Sequence, residues 1–144
     1  MDALNLTLLI HAAATVAMGG LIWFVQVVHY PMMALVPAEA FERYERVHQQ
    51  RTTLVVGPLM LAEAVSAAAL AWLCPPETRW LAWLGAALLA AVWASTFGVQ
   101  VPLHARLERE LDARALRRLV ATNWVRTGLW TARSGVALWL LRAA

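Results

Sequence analysis

The sequence has no lysine, a single cysteine and few charged residues of either sign. Charged residues make up 15% and hydrophobic residues 61% of the 144 positions. A soluble domain is typically about 25% charged and about half apolar, so this composition excludes an ordinary soluble domain. Because Cys74 has no possible partner within the chain, an internal disulfide and a cysteine-rich metal site are also excluded.

The sequence is rich in long apolar runs, which cover residues 4–33, 54–74, 80–103 and 119–141. Each run approaches or exceeds the roughly 20 residues that cross a hydrocarbon core. Short connections between spanning helices favour antiparallel neighbours. We therefore predict an all-α integral membrane four-helix bundle with up-down-up-down topology, forming a single domain over residues 1–144. Its helices are predicted at about residues 4–36, 38–74, 79–111 and 116–142.

Arginine supplies all of the basic charge, and it is unevenly distributed. The first and third loops contain most of the arginines, whereas the second loop has only Arg79. This is the positive-inside pattern, which places loops one and three in the cytoplasm and both termini outside. We predict a multi-pass protein of a bacterial-type inner (plasma) membrane, with the lipid bilayer and no nucleic acid as partner. The loop arginines are Arg43, Arg46, Arg51, Arg106, Arg109, Arg114, Arg117 and Arg118.

Each predicted helix has one polar stripe at about 100° per residue. Ionisable and amide side chains within membrane helices face the bundle interior and usually have a function. The polar stripes therefore predict an interior site. They comprise His11, Thr15, Met18, Ile22, Gln26 and His29 on the first helix; His48, Thr52, Glu63 and Ser66 on the second; Trp93, Phe97, Gln100 and His104 on the third; and Asn123, Thr127, Trp130 and Ser134 on the fourth, flanked by Arg126 and Arg133.

A rise of about 1.5 Å per residue gives the depth of each polar residue along its helix. By this estimate three histidines from three helices lie together at the cytoplasmic end. Helical bundles build metal and haem sites from such residues. In one interpretation His29, His48 and His104 bind one metal ion with Glu45 or Glu108, a ligand set that suits iron, copper or zinc. In the other, His29 and His104 lie on diagonal helices and are the axial ligands of haem b.

Two other polar groups lie away from this end. Glu63 and Arg133 come to similar depth near the middle of the bundle. They form either a buried ion pair that fixes helix register or part of a proton path. His11 stands nearly alone toward the outer side, where it can bond a carbonyl or a water molecule.

Three short stretches resemble a group of small bacterial four-helix membrane proteins: Val28-His29-Tyr30-Pro31, Val101-Pro102-Leu103-His104 and Asn123-Trp124-Val125-Arg126-Thr127. The last stretch also resembles the Asn-x-x-Arg-Thr signature of the anthrone-oxygenase-like family. That resemblance implies oxygenase or oxidase chemistry on a lipophilic, polycyclic aromatic substrate. It also makes Asn123 and Arg126 site residues.

A second similarity concerns the first helix, which has His11 early and Trp23 and Pro31 later. In this it is similar to the membrane haem protein that oxidises protoporphyrinogen. The similarity ends in the third helix, where the expected lysine is missing.

Together these features predict a membrane-embedded oxidoreductase that uses a histidine-ligated metal or haem, at the cytoplasmic end, on a lipophilic small molecule. Asn123, Arg126 and Gln100 are predicted to position an oxygen species or a polar substrate edge. Glu63 is predicted to assist catalysis by carrying protons. One alternative is a non-catalytic binding or transport protein for a metal ion, quinone or lipophilic metabolite, and transport through four spans would require a homo-oligomer. Another is that the polar stripes only specify packing through interhelical hydrogen bonds.

Overall fold

The computed structural model describes residues 2–144, and four long helices account for most of them. No strand occurs in this range, so the predicted all-α fold with four helices is confirmed. The first three of these helices along the chain are long and apolar enough to cross a membrane. The four helices are α1 (Ala3–Met33), α2 (Ala38–Leu73), α3 (Pro76–Leu107) and α4 (Ala113–Ala143).

The fourth helix differs in composition from the other three. It is 31 residues long, so its length of about 46 Å, at about 1.5 Å per residue, exceeds the thickness of a hydrocarbon core. Its arginines lower its hydropathy, and α4 does not reach the apolarity of the other three helices. Arg133 is fully buried in the bundle, so part of this charge does not face the surroundings.

Proline and aspartate residues set several helix boundaries. Pro37 precedes the first residue of α2, and the helix before it ends at Met33, earlier than predicted, because the residue before a proline disfavours helical geometry. Pro76 starts α3, since a proline is tolerated in the first turn of a helix. Asp112 caps α4 by accepting hydrogen bonds from the backbone amides of Ala115 and Arg114, which hold the pKa of its carboxyl below the usual range.

The helices pack as a square in which consecutive helices are neighbours. Helix α1 packs against α2 and α4, and α3 packs against the same two helices. Consequently α1 faces α3 across one diagonal, as predicted, and α2 faces α4 across the other. Side chains on opposite helices can therefore meet only along the central axis of the bundle.

Helices α1 and α3 each contain one π-helical turn, at Val25–His29 and Thr96–Gln100. Pro31 and Pro102 follow these turns, and a wider turn accommodates the missing amide and the bulky ring of a proline. The extra residue rotates the side chains that follow it. Phe97, which is predicted to face inward, lies within the second of these turns and is 59% exposed, although it also borders an internal cavity.

Gly19 of α1 lies against α4, and a Cβ atom there would come 2.6 Å from the Ser134 hydroxyl oxygen. We expect Gly19→Ala to lower the free energy of unfolding by about 1–3 kcal/mol through overpacking. Unfolding of the purified protein in mixed detergent measures this change. Gly20→Ala is the matched control, since nothing lies within 4 Å of its added Cβ. Equal effects of the two substitutions, or no relief by Ser134→Ala, would contradict the prediction.

Candidate functional site

A cavity of about 340 Å³ lies among all four helices, at the end where the first and third loops lie. This volume is within the usual range for small-molecule sites, about 300–1,000 Å³. Its walls are apolar except at one end. The polar end comprises Tyr30, His48, Gln49, Gln100, His104 and Arg126. The apolar walls include Met18, Leu21, Ile22, Val25, Val56, Met60, Phe97 and Val101.

The mouth of the cavity lies between α2 and α3. Thr53 on α2 and Phe97 and Val101 on α3 line the cavity and are also exposed on the protein surface. All three residues belong to helices that are apolar enough to span a membrane. In a bilayer this mouth faces lipid, so a lipophilic molecule has direct lateral access.

A hydrogen-bonded chain of three side chains, two buried and one partly buried, connects three helices at the polar end. The Tyr30 hydroxyl oxygen lies 2.9 Å from Nε2 of His104. Nδ1 of the same ring lies 2.5 Å from Oε1 of Glu45. Tyr30 is 3% exposed and Glu45 is fully buried. The chain bridges the α1–α3 diagonal, with Glu45 from α2 behind the imidazole.

The order of these groups determines what they can do. The Glu45 carboxylate only accepts hydrogen bonds, so we assign the neutral imidazole proton of His104 to Nδ1. Nε2 is then an acceptor, and the Tyr30 hydroxyl donates to it. A carboxylate, an imidazole and a hydroxyl in this order form a general-base arrangement, as in the catalytic triads of hydrolases. The chain is therefore suited to withdraw a proton through Tyr30.

A second set of hydrogen bonds positions Arg126. The Val120 carbonyl can only accept, and it receives a bond of 3.2 Å from Nε2 of Gln26. Oε1 of Gln26 therefore accepts from Nδ2 of Asn123 (2.9 Å), and Oδ1 of Asn123 accepts from Nη1 of Arg126 (3.0 Å). The orientation of both amides is thus fixed by one backbone carbonyl. Asn123 is fully buried and contacts Arg126 as a positioning residue, whereas Arg126 itself lines the cavity.

Gln100 is oriented in a similar way. The Thr122 hydroxyl donates to the Arg118 carbonyl (2.7 Å), so it accepts from Nε2 of Gln100 (2.9 Å). This leaves Oε1 of Gln100 without a partner among residues 2–144, and the same holds for Nε of Arg126. A buried polar atom without a partner costs about 1–3 kcal/mol. Since both residues line the cavity, a ligand with one hydrogen-bond donor and one acceptor fits its polar end.

The structure brings His29, His48 and His104 together, as their depths predict. The ring centroids of His29 and His48 are 4.3 Å apart with an interplanar angle of 27°. Those of His48 and His104 are 5.7 Å apart. Tyr44 is nearly parallel to His48, with its ring centroid 6.3 Å away. His29, His48 and Tyr44 therefore form an aromatic stack beside the cavity, and His104 lies tilted against it.

Two observations concern the predicted metal or haem centre. Within residues 2–144 no three His, Cys, Asp or Glu side chains are arranged to hold one ion. Both nitrogens of His104 are occupied by Tyr30 and Glu45. Metal or haem ligation stays a prediction of the sequence alone.

Glu63 lies outside the cavity, deeper in the bundle. Its Oε1 is 3.2 Å from Nε of Arg133, and both side chains are fully buried. Nη1 of Arg133 also donates to the Gly85 carbonyl, and its guanidinium carbon lies 5.9 Å from the centre of the Trp130 ring. The pair bridges the α2–α4 diagonal. This environment favours a structural role for Glu63 over the predicted catalytic one.

His11 is also separate from the cavity. Its Nδ1 lies 2.8 Å from the Ser66 hydroxyl oxygen, which itself donates to the Ala62 carbonyl at 2.6 Å. Nδ1 is therefore the donor in this contact. The hydrogen bond joins α1 to α2 and gives His11 a packing role.

Sequence reasoning missed Tyr30, which is adjacent to His29 but outside the predicted stripe. The π-helical turn at Val25–His29 shifts the residues after it, and Tyr30 becomes buried as a result. The motif Val28-His29-Tyr30-Pro31 was the only available signal. Glu45 was recognised, but as a metal ligand and not as the partner of His104.

Comparisons of this chain with protein-family models, with curated proteins and with solved structures find no match. The resemblances based on short stretches of sequence therefore stay predictions. The geometry of the cavity is the main basis for a functional proposal.

Proposed function

We propose that this chain is a membrane-embedded oxidoreductase that takes a lipophilic molecule from the bilayer and removes a proton from it. The observation that carries this proposal is the Glu45–His104–Tyr30 chain at the polar end of an otherwise apolar cavity. The mouth between α2 and α3 supports entry from the lipid. Depth along the bundle and the loop arginines favour the cytoplasmic half of the membrane.

The proposed chemistry begins with general-base catalysis. Tyr30 contacts the ligand and transfers its own proton to Nε2 of His104 as it receives one from the ligand. Glu45 stabilises the imidazolium that forms, because its carboxylate is buried and already bonded to Nδ1. Nε of Arg126 donates to the oxygen on which negative charge develops, and Oε1 of Gln100 accepts from a ligand hydroxyl.

The oxidative step follows from the resemblance to the anthrone-oxygenase-like family, with molecular oxygen as the oxidant. A methylene group activated by aromatic rings loses a proton to Tyr30, and the resulting carbanion adds O₂ to give a peroxide anion. The peroxide anion takes the proton back from His104 through Tyr30. The neutral hydroperoxide that forms then loses water to give a carbonyl. The net reaction is CH₂ + O₂ → C=O + H₂O, so atoms and electrons balance.

A visible spectrum and elemental analysis of the purified protein test the iron, copper or haem b prediction. Because both nitrogens of His104 are occupied, we expect no Soret band and no stoichiometric metal. A Soret band that is lost in His29→Ala or His104→Ala would instead establish a haem protein. Stoichiometric iron or copper without that band would establish a metal centre.

We further propose that all four helices cross an inner (plasma) membrane up and down, with both termini outside and loops one and three in the cytoplasm. Exposed apolar residues on every helix support contact with lipid, among them Trp23, Leu54, Phe97 and Leu138. The arginines of loops one and three support the sidedness. Cysteine labelling of loop positions from each side of spheroplasts tests the orientation.

Oxygen uptake by the detergent-purified protein with anthrone as the probe tests the function. Gly57 lines the cavity and an added Cβ meets nothing within 4 Å, so Gly57→Leu fills space without a backbone clash. We expect Gly57→Leu to reduce anthrone binding and oxygen uptake by about tenfold or more. Gly20→Leu is the matched control, since Gly20 is exposed and equally unhindered.

The alternative of a non-catalytic binding or transport protein predicts a different pattern. The apolar cavity with its mouth between α2 and α3 is the specific observation that favours it. Anthrone binding that is weakened by Gly57→Leu, without oxygen uptake by the unaltered protein, would support this alternative. If the unaltered protein neither binds anthrone nor takes up oxygen, the proposed function is contradicted. The polar stripes would then serve only helix packing.

A further inference from the structure

A second depression, here called the arginine groove, lies on the outer surface of α2 beside α1. Its volume is about 540 Å³. No carboxylate belongs to its lining within the described chain, although acidic residues occur nearby in sequence. The groove is lined by His29, Ala40, Arg43, Tyr44, Val47, His48, Arg51 and Thr52.

The two arginines of the groove lack a counter-charge. Arg43 and Arg51 are exposed and two turns apart on one face of α2, about 12 Å along the axis. Neither takes part in an ion pair within residues 2–144. By contrast Arg46, which lies between them in sequence, is neutralised by Glu42 at 2.6 Å and by Glu108 at 3.4 Å. The groove therefore presents two guanidinium groups without a counter-charge on one face of α2.

The other surfaces in and beside the groove indicate which kind of molecule carries an anion that binds there. The stacked rings of Tyr44, His48 and His29 form a flat wall. Directly beyond Arg51 the surface of α2 becomes apolar, with Leu54 76% and Val55 55% exposed. Cationic donors thus give way to a lipid-facing surface over a single turn of helix. This is the polarity profile of a phospholipid at the membrane interface.

We propose that the arginine groove binds the phosphate group of an anionic phospholipid, with its acyl chains lying along Leu54 and Val55. Guanidinium groups suit this role because they donate paired hydrogen bonds to phosphate oxygens. Each arginine near an anionic lipid surface contributes about fivefold in affinity. This site does not rest on the proposed function, since neither arginine lines the catalytic cavity.

The test measures lipid retention by the full chain with native mass spectrometry. Protein in detergent is incubated with equal amounts of phosphatidylglycerol and phosphatidylcholine. We expect the unaltered protein to retain phosphatidylglycerol preferentially. The double variant Arg43→Gln/Arg51→Gln is expected to bind that lipid about 25-fold more weakly. The matched control is Arg109→Gln/Arg114→Gln, which removes two exposed, unpaired arginines from the same end of the protein.

The control should retain phosphatidylglycerol within about twofold of the unaltered protein, since only general attraction to charge is reduced. Equal losses in both double variants would overturn the proposal, because the groove would then contribute nothing specific. The phosphate group bound in the groove could belong to a lipid or be free inorganic phosphate. Competition with millimolar inorganic phosphate distinguishes these two ligands. Retention that survives phosphate supports a lipid site, and complete displacement overturns it in favour of a free-anion site.

Discussion

Replacing Arg133 alone with methionine is expected to lower the free energy of unfolding by about 3–5 kcal/mol. The substitution leaves the Glu63 carboxylate fully buried without its partner, and the Gly85 carbonyl also loses a donor. The cost of an uncompensated charge exceeds the small change in side-chain volume. Unfolding by sodium dodecyl sulfate in mixed micelles, followed by circular dichroism, measures this loss.

The matched double variant separates charge from packing. When Glu63→Leu is combined with Arg133→Met, no buried charge remains, and we expect most of the lost stability to return. Equal destabilisation in the single and double variants would show that shape, and not charge, determines the effect. Glu63→Gln tests the proton-path hypothesis separately, because oxygen uptake that falls in a stably folded Glu63→Gln variant would restore the catalytic role.

The second large effect concerns the proton-transfer chain. We expect Glu45→Gln and His104→Gln each to lower kcat for anthrone oxidation by about 10²–10⁴-fold, the usual contribution of general-base catalysis. Tyr30→Phe should lower kcat by a factor in the same range, since it removes the hydroxyl group between the ligand and the imidazole. Binding of anthrone should change little, because Arg126 and Gln100 still line the cavity.

His11→Gln is the control for this series, since it alters a buried histidine outside the cavity. Its kcat should equal that of the unaltered protein. A loss of binding in place of kcat, in Glu45→Gln and His104→Gln alike, would assign the chain a structural role. A loss in His11→Gln as large as in His104→Gln would show that the assay reports general disruption of the fold.

The fold was predictable because long apolar runs directly reflect the thickness of a bilayer. The fourth helix is predicted in the same way, although its arginines make it less apolar than the other three helices. The structure explains how one of these charges is accommodated, because Arg133 pairs with Glu63 across the bundle. The sequence predicted that contact because Glu63 and Arg133 come to similar depths, and an approximate helical rise per residue is enough to estimate those depths.

The site was predictable only in part. Gln100, Asn123 and Arg126 were expected together, and the structure places them at or beside one cavity. Hydrogen bonds between side chains on different helices could not be predicted from the sequence. The bond between Glu45 and His104, for example, depends on how α2 and α3 are rotated about their axes. A pattern at 100° per residue assumes one continuous rotation for each helix. That assumption fails wherever a wider turn is inserted, which is why Tyr30 was missed.

Each π-helical turn divides its helix, α1 or α3, into a long segment before the turn and a short segment after it. The turn sets how the side chains of the second segment are rotated about the helix axis relative to those of the first. Deleting one residue from either turn would rotate the following segment by about 100° and carry Tyr30 or His104 away from the bundle axis. Conversely, the half of the bundle that contains His11 and the Glu63–Arg133 pair would keep its packing. A change within either π-helical turn would therefore alter the chemistry of one end of the bundle and leave the packing of the other end unchanged.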